Sequence, residues 1–403
     1  MFDREKIEAI TGGKVLGHGK ITGISTDTRS LKPGELFIPL KGKNFDGRKF
    51  LKKAPLALDV KNGLSALQKL AAYHRNKFKI PFIGVTGSVG KTTVKDMLAS
   101  ILSQEMEVLK NEENFNNEIG VPLTLLKLNK KHKTAVIEMA MQKLGEIEEL
   151  ARIVRPHVAV ITNIGEAHLK FLKTKRNIAK AKAEIFTYLK KGDFAIINQD
   201  DEFFEHLGTR ARELGARVLT FGILEKADVT PKDLKGIKLP IPGEHMIMDA
   251  LAAIAAAKAL GIKRTSIKKG LEKFQPSSKR MQVILKVDGT KIINDTYNAN
   301  PQSMAAALKV LASLSGRKIA VLGDMLELGK ISKTAHRRMI RLARALKIDR
   351  VYTLGKLWPK VSTPEKDQKT LLKKLKKFIQ PRDIILVKGS RGLKMENIVE
   401  ALN

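Results

Sequence analysis

The run Val85-Thr86-Gly87-Ser88-Val89-Gly90-Lys91-Thr92-Thr93 sets glycines, a lysine and hydroxyls between the apolar stretch Ile80-Pro81-Phe82-Ile83 and a helical pattern beginning at Val94. Glycines let backbone N–H groups turn inward on an anion. A helix start adds the positive end of its dipole, Lys91 adds a point charge, and the Thr92 hydroxyl can hold Mg2+. The full G-x-x-x-x-G-K-[ST] pattern would need glycine at position 85, where this chain has Val85, so what stands here is the shorter G-x-x-G-K-T. A plain strand-to-helix turn is the alternative. Gly-Lys-Thr-Thr directly after a buried-strand pattern favours phosphate, and with it a nucleoside triphosphate.

Three further side chains fall where such a site could use them. Thr134-Ala135-Val136-Ile137-Glu138 ends a buried-strand pattern on a carboxylate, at the edge where open α/β sheets place ligands. Glu138 is therefore a candidate Mg2+ ligand, and a solvent-facing glutamate is an equal reading of that position alone. Val158-Ala159-Val160-Ile161-Thr162 leads to His168, which would lie on the same edge. Lys182 follows Ile178 by four residues and precedes Ile185 by three, so it shares their apolar helix face, whereas Lys180 points elsewhere and can pair with Glu184. Burial would lower the pKa of the Lys182 amine and expose it to covalent chemistry, including carbamate formation with CO2. On spacing alone, a lysine snorkelling off the core edge is the stronger reading.

Two more loops are rich in polar groups. Asn294-Asp295-Thr296-Tyr297-Asn298-Ala299-Asn300-Pro301 separates a strand from a helix, as turn chemistry or as a ligand loop. Val387-Lys388-Gly389-Ser390-Arg391-Gly392 offers cations and a hydroxyl after another strand, which suits a carboxylate.

The elements that must position these groups form three blocks. Residues 1–78 carry short strands broken by glycine and proline, then a helix around Leu64 to His74. Residues 79–276 alternate strands (Phe82 to Val85, Thr134 to Glu138, Val158 to Thr162, Phe194 to Asn198) with helices from Thr92, around Glu146 to Val154 and around Asn177 to Leu189. That alternation predicts a parallel sheet covered on both faces. Phe274-Gln275-Pro276-Ser277-Ser278 reads as a linker, and residues 277–403 form a second alternating block. The fold class is α/β in three domains.

Lys and Arg total 75 against 41 acidic residues in 403, a formal charge of +34, which raises nucleic acid or another polyanion as a partner. The lysines fall on amphipathic helical patterns with few aromatics between them, so solvated helix faces are preferred and no nucleic-acid partner is expected. There is no cysteine, which excludes disulfides, thiol nucleophiles and thiolate metal sites. No run approaches the roughly 20 apolar residues of a membrane span, and the N-terminus lacks a signal-peptide core, so a cytoplasmic location is expected.

These motifs, in this order, resemble the Mur ligases of peptidoglycan synthesis along nearly the whole chain. Shared segments are Ser25-Thr26-Asp27-Thr28-Arg29, Phe45-Asp46-Gly47, the cradle, and Asn114-Phe115-Asn116-Asn117-Glu118-Ile119-Gly120-Val121-Pro122. Thr162 to His168, Ala181 to Phe186, Asn294 to Pro301, Ala320 to Met325 and Lys388 to Arg391 continue them. The cradle is common to the wider superfamily, including folylpolyglutamate synthases. The Asn-Asn-Glu-Ile-Gly-Val-Pro and Asp-Thr-Tyr-Asn-Ala-Asn-Pro segments look specific to the branch that joins D-Ala-D-Ala to UDP-MurNAc-tripeptide.

The resemblance implies an N-terminal domain holding the UDP end, a central P-loop ATPase and a Rossmann-like C-terminal domain receiving the dipeptide, in a monomer. It implies ATP and two Mg2+ ions, with an acyl phosphate formed on the substrate carboxylate and attacked by the dipeptide amine. Thr92 and Glu138 would hold the first ion and His168 the second, which a carbamylated Lys182 would help position. Gly87, Ser88, Gly90, Lys91, Thr92, Thr93, Asn116, Arg280 and Asp295 would bind the nucleotide. Ser25, Thr26, Asp27, Arg29 and Asp46 would bind the uridine substrate, and Asn298, Lys388, Ser390 and Arg391 the dipeptide. The competing readings are a relative adding one amino acid and a basic nucleic-acid-stimulated P-loop ATPase. The chain departs from the family at Met246 and Asp249, where asparagines usually follow His245 near the adenine, at Ala140, Gln142 and Arg48, and in a shortened stretch after Phe50.

Overall fold

A computed structural model describes residues 3–112, 114–224, 226–359 and 364–403. The central sheet is the frame on which the site is built. Six parallel strands run in the order Arg217–Phe221, Phe194–Asn198, Val158–Ile161, Phe82–Thr86, Thr134–Glu138, Val108–Lys110. The strands Phe82–Thr86 and Thr134–Glu138 are buried at every position, as parallel strands covered on both faces must be, which is why they read as unbroken apolar runs. Each fully buried valine or isoleucine here contributes about 1.5–3 kcal/mol of transfer free energy.

Strand connections diverge at Phe82–Thr86: the chain leaves it toward the Val108–Lys110 edge, whereas it leaves the neighbouring Val158–Ile161 the opposite way, toward Phe194–Asn198. That reversal opens a crevice above the C-terminal end of Phe82–Thr86. The helix Lys91–Leu102 and the long helix Glu244–Ala259 pack together over one face. Alanines 250, 252, 253 and 255–257 of the latter are all buried, and their small side chains let it sit close to its neighbours.

The N-terminal block is a small α/β unit with strand order Lys14–Leu16, Ala57–Asp59, Glu35–Phe37, Gly23–Ser25. Its helix Gly63–Asn76 starts at Asn62, whose side chain accepts from the Ser65 amide at 3.0 Å. Arg75 at the far end of that helix fastens the block to the central one, donating to the carbonyls of Val154 (2.7 Å) and Arg155 (2.8 Å). Phe50 lies within a 3-10 helix, Gly47–Lys53, from which residues 54–56 lead into Ala57–Asp59.

The C-terminal block is Rossmann-like. Strands Lys291–Asp295, Ile384–Lys388, Lys318–Gly323 and Arg350–Leu354 are parallel, with Gln282–Leu285 antiparallel on the edge. Residues 274–278 form no regular element, as a linker should, yet they are pinned: Phe274 is buried and Ser277 Oγ donates to Asp96 Oδ2 at 2.5 Å. The lysines of helix Gln368–Phe378 are solvent-exposed around buried Leu371 and Leu375. No helix among the described residues is long and apolar enough to cross a membrane.

Several elements differ from the sequence expectation. The helix expected to run to Leu189 is Lys175–Ala183 followed by a 3-10 turn at Glu184–Phe186. Glu184 does not pair with Lys180. It accepts instead from the amides of Gly145 (2.8 Å) and Glu148 (3.2 Å), capping the start of helix Glu146–Val154, where the dipole favours an anion. The edge strands Val108–Lys110 and Arg217–Phe221 escaped the pattern, because partly exposed edges carry charged residues that interrupt an apolar run.

Candidate active site

The cradle begins where strand Phe82–Thr86 ends. Gly87 has φ 152° and Gly90 φ 84°. A Cβ on Gly87 would lie 1.8 Å from Thr162 Oγ1, and one on Gly90 2.1 Å from Asp249 Oδ1, so only glycine fits at either position. Gly90 is also the N-cap of helix Lys91–Leu102 and supplies no side-chain cap. The first N–H groups of that helix are therefore free to meet an anion. The strand end at Thr162 and Asn163 holds the loop from behind: Thr162 Oγ1 donates to Val89 O (2.5 Å), and Asn163 Oδ1 accepts from the Val89 amide (3.1 Å).

Two lysines converge on one carbonyl. Lys91 Nζ and Lys182 Nζ each donate to Gly87 O at 2.9 Å. Lys182 is 2% exposed, so it does not snorkel; its amine ends inside the protein, behind the phosphate loop. Burial, aided by the charge on Lys91, holds the Lys182 amine well below the ordinary lysine range. Burial lowers Lys91 too, against the attraction of Glu138. Two ammonium groups on one oxygen, with only Glu138 to offset Lys91, is an arrangement that favours neutralising Lys182.

Glu138 is buried at its strand end and fully engaged. Its Oε2 accepts from Thr92 Oγ1 at 2.6 Å and its Oε1 from Asn116 Nδ2 at 2.8 Å. Asn111 clamps its backbone, accepting from Glu138 N and donating to Glu138 O, both at 2.9 Å. The Thr92–Glu138 oxygen pair is close enough to share one hard cation, and Mg2+ takes few protein ligands, completing its shell with water and phosphate oxygens. Among the described residues no group of three or more His, Asp or Glu gathers to hold a metal, so an ion here would draw most of its ligands from solvent and phosphate.

A cleft of about 1130 Å³ runs from the cradle to the C-terminal block. Ser88, Gly90, Lys91, Thr92, Thr93, Asn116, Glu138 and His168 line its central side, and Arg280, Asp295, Asn298 and Lys388 face them. His168 stands with φ 60° at the start of a short helix, its Nδ1 2.9 Å from Glu327 Oε2 of the C-terminal block. Burial and the charges of Lys91 and Lys182 lower its pKa. Arg280 stacks over the Tyr297 ring at 3.9 Å. Asp249, buried beside Gly90 and hydrogen-bonded by Thr93, is pushed up to about 7 by burial, against the opposing pull of Arg280.

Asp295 and Lys388, expected to meet different ligands, are partners here: Lys388 Nζ lies 2.5 Å from Asp295 Oδ2 and donates to Asn298 O at 3.0 Å. Ser390 is buried away from the cleft, its hydroxyl tying Leu326 N (2.9 Å) to Ala299 O (3.3 Å). Arg391 pairs with Glu396. Ser25, Thr26, Asp27, Arg29 and Asp46 lie in the N-terminal block and do not line the cleft. There Arg29 grips the Asp27 carboxylate through Nε (2.9 Å) and Nη2 (2.6 Å), and that hydrogen bonding holds the acid down to about 2. Asp46 accepts from the Arg48 amide at 3.0 Å.

Asn111, Asn163 and Glu327 support the site and went unread in sequence. Asn111 directly follows the three-residue strand Val108–Lys110, too short to register as an element, while Asn163 and Glu327 act on residues more than 70 positions away.

Comparison with known proteins adds an independent measure. Residues 85–257 match the Mur ligase middle domain and residues 279–391 the Mur ligase glutamate ligase domain. The UDP-N-acetylmuramoyl-tripeptide–D-alanyl-D-alanine ligase of Bacillus subtilis is 39% identical, the match covering 95% of this chain and 93% of that protein. The crystal structure of MurF from Acinetobacter baumannii superposes with a TM-score of 0.91 at 34% identity, covering 100% of this chain and 98% of that one. MurF ligase from Thermotoga maritima, solved in complex with ADP, is 27% identical with a TM-score of 0.81, over 94% and 96% of the two chains.

Proposed function

The chain belongs to the Mur ligase family, and from that premise we propose that it joins D-Ala-D-Ala to UDP-MurNAc-tripeptide, with ATP as phosphoryl donor, giving UDP-MurNAc-pentapeptide for peptidoglycan. The observation that carries the reading is the cleft in which the phosphate cradle faces the Asp295–Asn300 loop across about 1130 Å³. Phosphate donor and amine acceptor would meet in that space.

In the proposed reaction the terminal tripeptide carboxylate attacks the γ-phosphorus of ATP and ADP departs. The dipeptide amine then attacks the acyl carbon, a tetrahedral oxyanion forms, and phosphate leaves. Both steps build negative charge beside the cradle, where the helix N–H groups are free and Lys91, resting on Gly87 O, would turn to the phosphates. Gly87, Ser88, Gly90, Thr93 and Asn116 complete the phosphate pocket, while Arg280 and Asp295 bind the nucleoside end. Two Mg2+ ions would screen the phosphates and polarise the acyl oxygen. Thr92 and Glu138 would hold one and His168 the other.

Lys182 is proposed as a carbamate. Its neutral amine adds to CO2 and releases one proton, so a buried neutral group beside Lys91 becomes an anion that would help orient the second ion. Ser25, Thr26, Asp27, Arg29 and Asp46 are assigned to the uridine substrate. Asn298 and Lys388 are assigned to the dipeptide, with Lys388 exchanging Asp295 for the ligand carboxylate, while Ser390 would act by holding the loop through Ala299 O and Arg391 would have to leave Glu396 to reach the dipeptide. We assign residues 1–78, 79–276 and 277–403 as the domains of a cytoplasmic monomer.

The test is direct: purified protein with ATP, Mg2+, UDP-MurNAc-tripeptide and D-Ala-D-Ala should release phosphate and form the pentapeptide. Turnover with single amino acids instead would assign it to a sister ligase. ATP hydrolysis stimulated by DNA or RNA, without ligation, would sink the proposal altogether.

A further inference from the structure

The segment 165–170, which carries His168, is gripped by the C-terminal block. Glu327 takes hold of it twice, accepting from His168 Nδ1 through its side chain (2.9 Å) and from the Lys170 amide through its carbonyl (3.1 Å). Arg338 Nη2 reaches Glu166 Oε2 at 2.7 Å, and the Gln302 side chain lies against Gly165, 2.3 Å from where a Cβ would stand. Both His168 (φ 60°) and Glu327 (φ 63°) sit in the left-handed region that side-chain-bearing residues avoid. Strain of that kind persists where surrounding contacts over-determine a conformation, and it gathers at functional junctions.

A carboxylate only accepts hydrogen bonds, so a neutral imidazole facing Glu327 must carry its proton on Nδ1. Nε2 is then left with a bare lone pair, and His168 lines the cleft. We propose that Glu327 is a positioning residue, which fixes the Nδ1–H tautomer of His168 and presents Nε2 to the metal–phosphate site only when the two domains are closed. The inference rests on the role assigned above to His168. Because Glu327 follows strand Lys318–Gly323 of the C-terminal sheet while His168 follows strand Val158–Ile161 of the central sheet, an open molecule cannot make this contact. Domain closure and His168 orientation become one event, and the phosphate site is completed only over a docked C-terminal domain.

The experiment uses the full chain with 15N-labelled histidine rings and Mg2+ plus a non-hydrolysable ATP analogue, the His168 signals being assigned by their loss in His168→Gln. Wild type should show Nδ1 protonated and Nε2 bare. In Glu327→Ala the ring should move toward the Nε2–H tautomer, and kcat should fall about 10–100-fold, the usual cost of losing a group that orients a ligand, while KM for the dipeptide stays within a few-fold. Glu327→Gln, whose amide oxygen still accepts from Nδ1–H, should keep the wild-type tautomer and recover most of kcat. An unchanged His168 tautomer in Glu327→Ala overturns the proposal, as does a wild-type ring protonated on Nε2 or on both nitrogens. Full turnover in His168→Gln would overturn it differently, by removing the role of His168 itself.

Discussion

Asp249→Asn turns the burial of one carboxyl into a measurable pH profile. Asp249 is 7% exposed, beside Gly90 and hydrogen-bonded by Thr93, and burial pushes its pKa up to about 7, from the ordinary carboxylate value of about 4. Between those two pH values the folded protein holds a proton that the unfolded chain has lost, so stability falls as pH rises through the window. Each pH unit is worth about 1.4 kcal/mol, and the whole window about 4 kcal/mol, an order-of-magnitude figure. Asparagine keeps the shape and a hydrogen bond to Thr93 but has no proton to lose. The variant should therefore match wild type, to within a constant offset, below about pH 4, and gain on it steadily up to about pH 7, with a plateau above that. A chain with several separate sheets need not unfold in a single step, so the assay should be local. Amide hydrogen exchange in strand Phe82–Thr86, compared between the two proteins at equal pH, cancels the intrinsic rate and reads the free-energy difference. A difference that stays flat from pH 4 to pH 8 would refute the reasoning, because the carboxyl would then not be desolvated where it sits against the cradle.

Glu138→Gln keeps the Asn116 contact and removes the anion, so kcat/KM for MgATP should drop on the order of 100-fold with an unchanged circular dichroism spectrum; a loss under three-fold would remove Glu138 from the ion site. Gly87→Ala forces a Cβ to within 1.8 Å of Thr162 Oγ1 at φ 152°, and the urea midpoint should fall by the equivalent of about 2 kcal/mol or more. A midpoint equal to wild type would mean the loop relaxes freely. For Lys182 the folded pKa lies below the unfolded value, so in CO2-free buffer wild type should gain stability as pH rises toward about 10, by up to about 1.4 kcal/mol per pH unit for this group, and Lys182→Met should lack that slope. Added bicarbonate should raise the wild-type unfolding midpoint and leave that of Lys182→Met in place; an equal response from both proteins would argue against the carbamate.

Much of the frame was legible because buried parallel strands leave an unbroken apolar signature. Thr134–Glu138, Phe194–Asn198 and helix Glu146–Val154 stand where the pattern put them, and the cradle's ligand chemistry followed from residue types and spacing. Elements at the margins were lost for the complementary reason. Val108–Lys110 and Arg217–Phe221 border solvent, so charges break their runs, and Asn111, which holds the backbone of Glu138, was lost with the first of them.

Helical periodicity placed Lys182 on an apolar face, and spacing could say no more than that. Whether its amine escapes to water or ends on Gly87 O depends on a residue 95 positions away, brought there by the packing of helix Lys175–Ala183 beneath the cradle. The same holds for Asp295 with Lys388 and for His168 with Glu327, separated by 93 and 159 positions. Local sequence, through hydrophobic periodicity and turn chemistry, determined the elements and the kind of ligand they can hold. Which charges neutralise one another, and which nitrogen of His168 faces the cleft, was decided only when strand order and domain docking brought those distant groups within hydrogen-bonding range, because electrostatics and hydrogen bonds act over a few ångströms of space rather than along the chain.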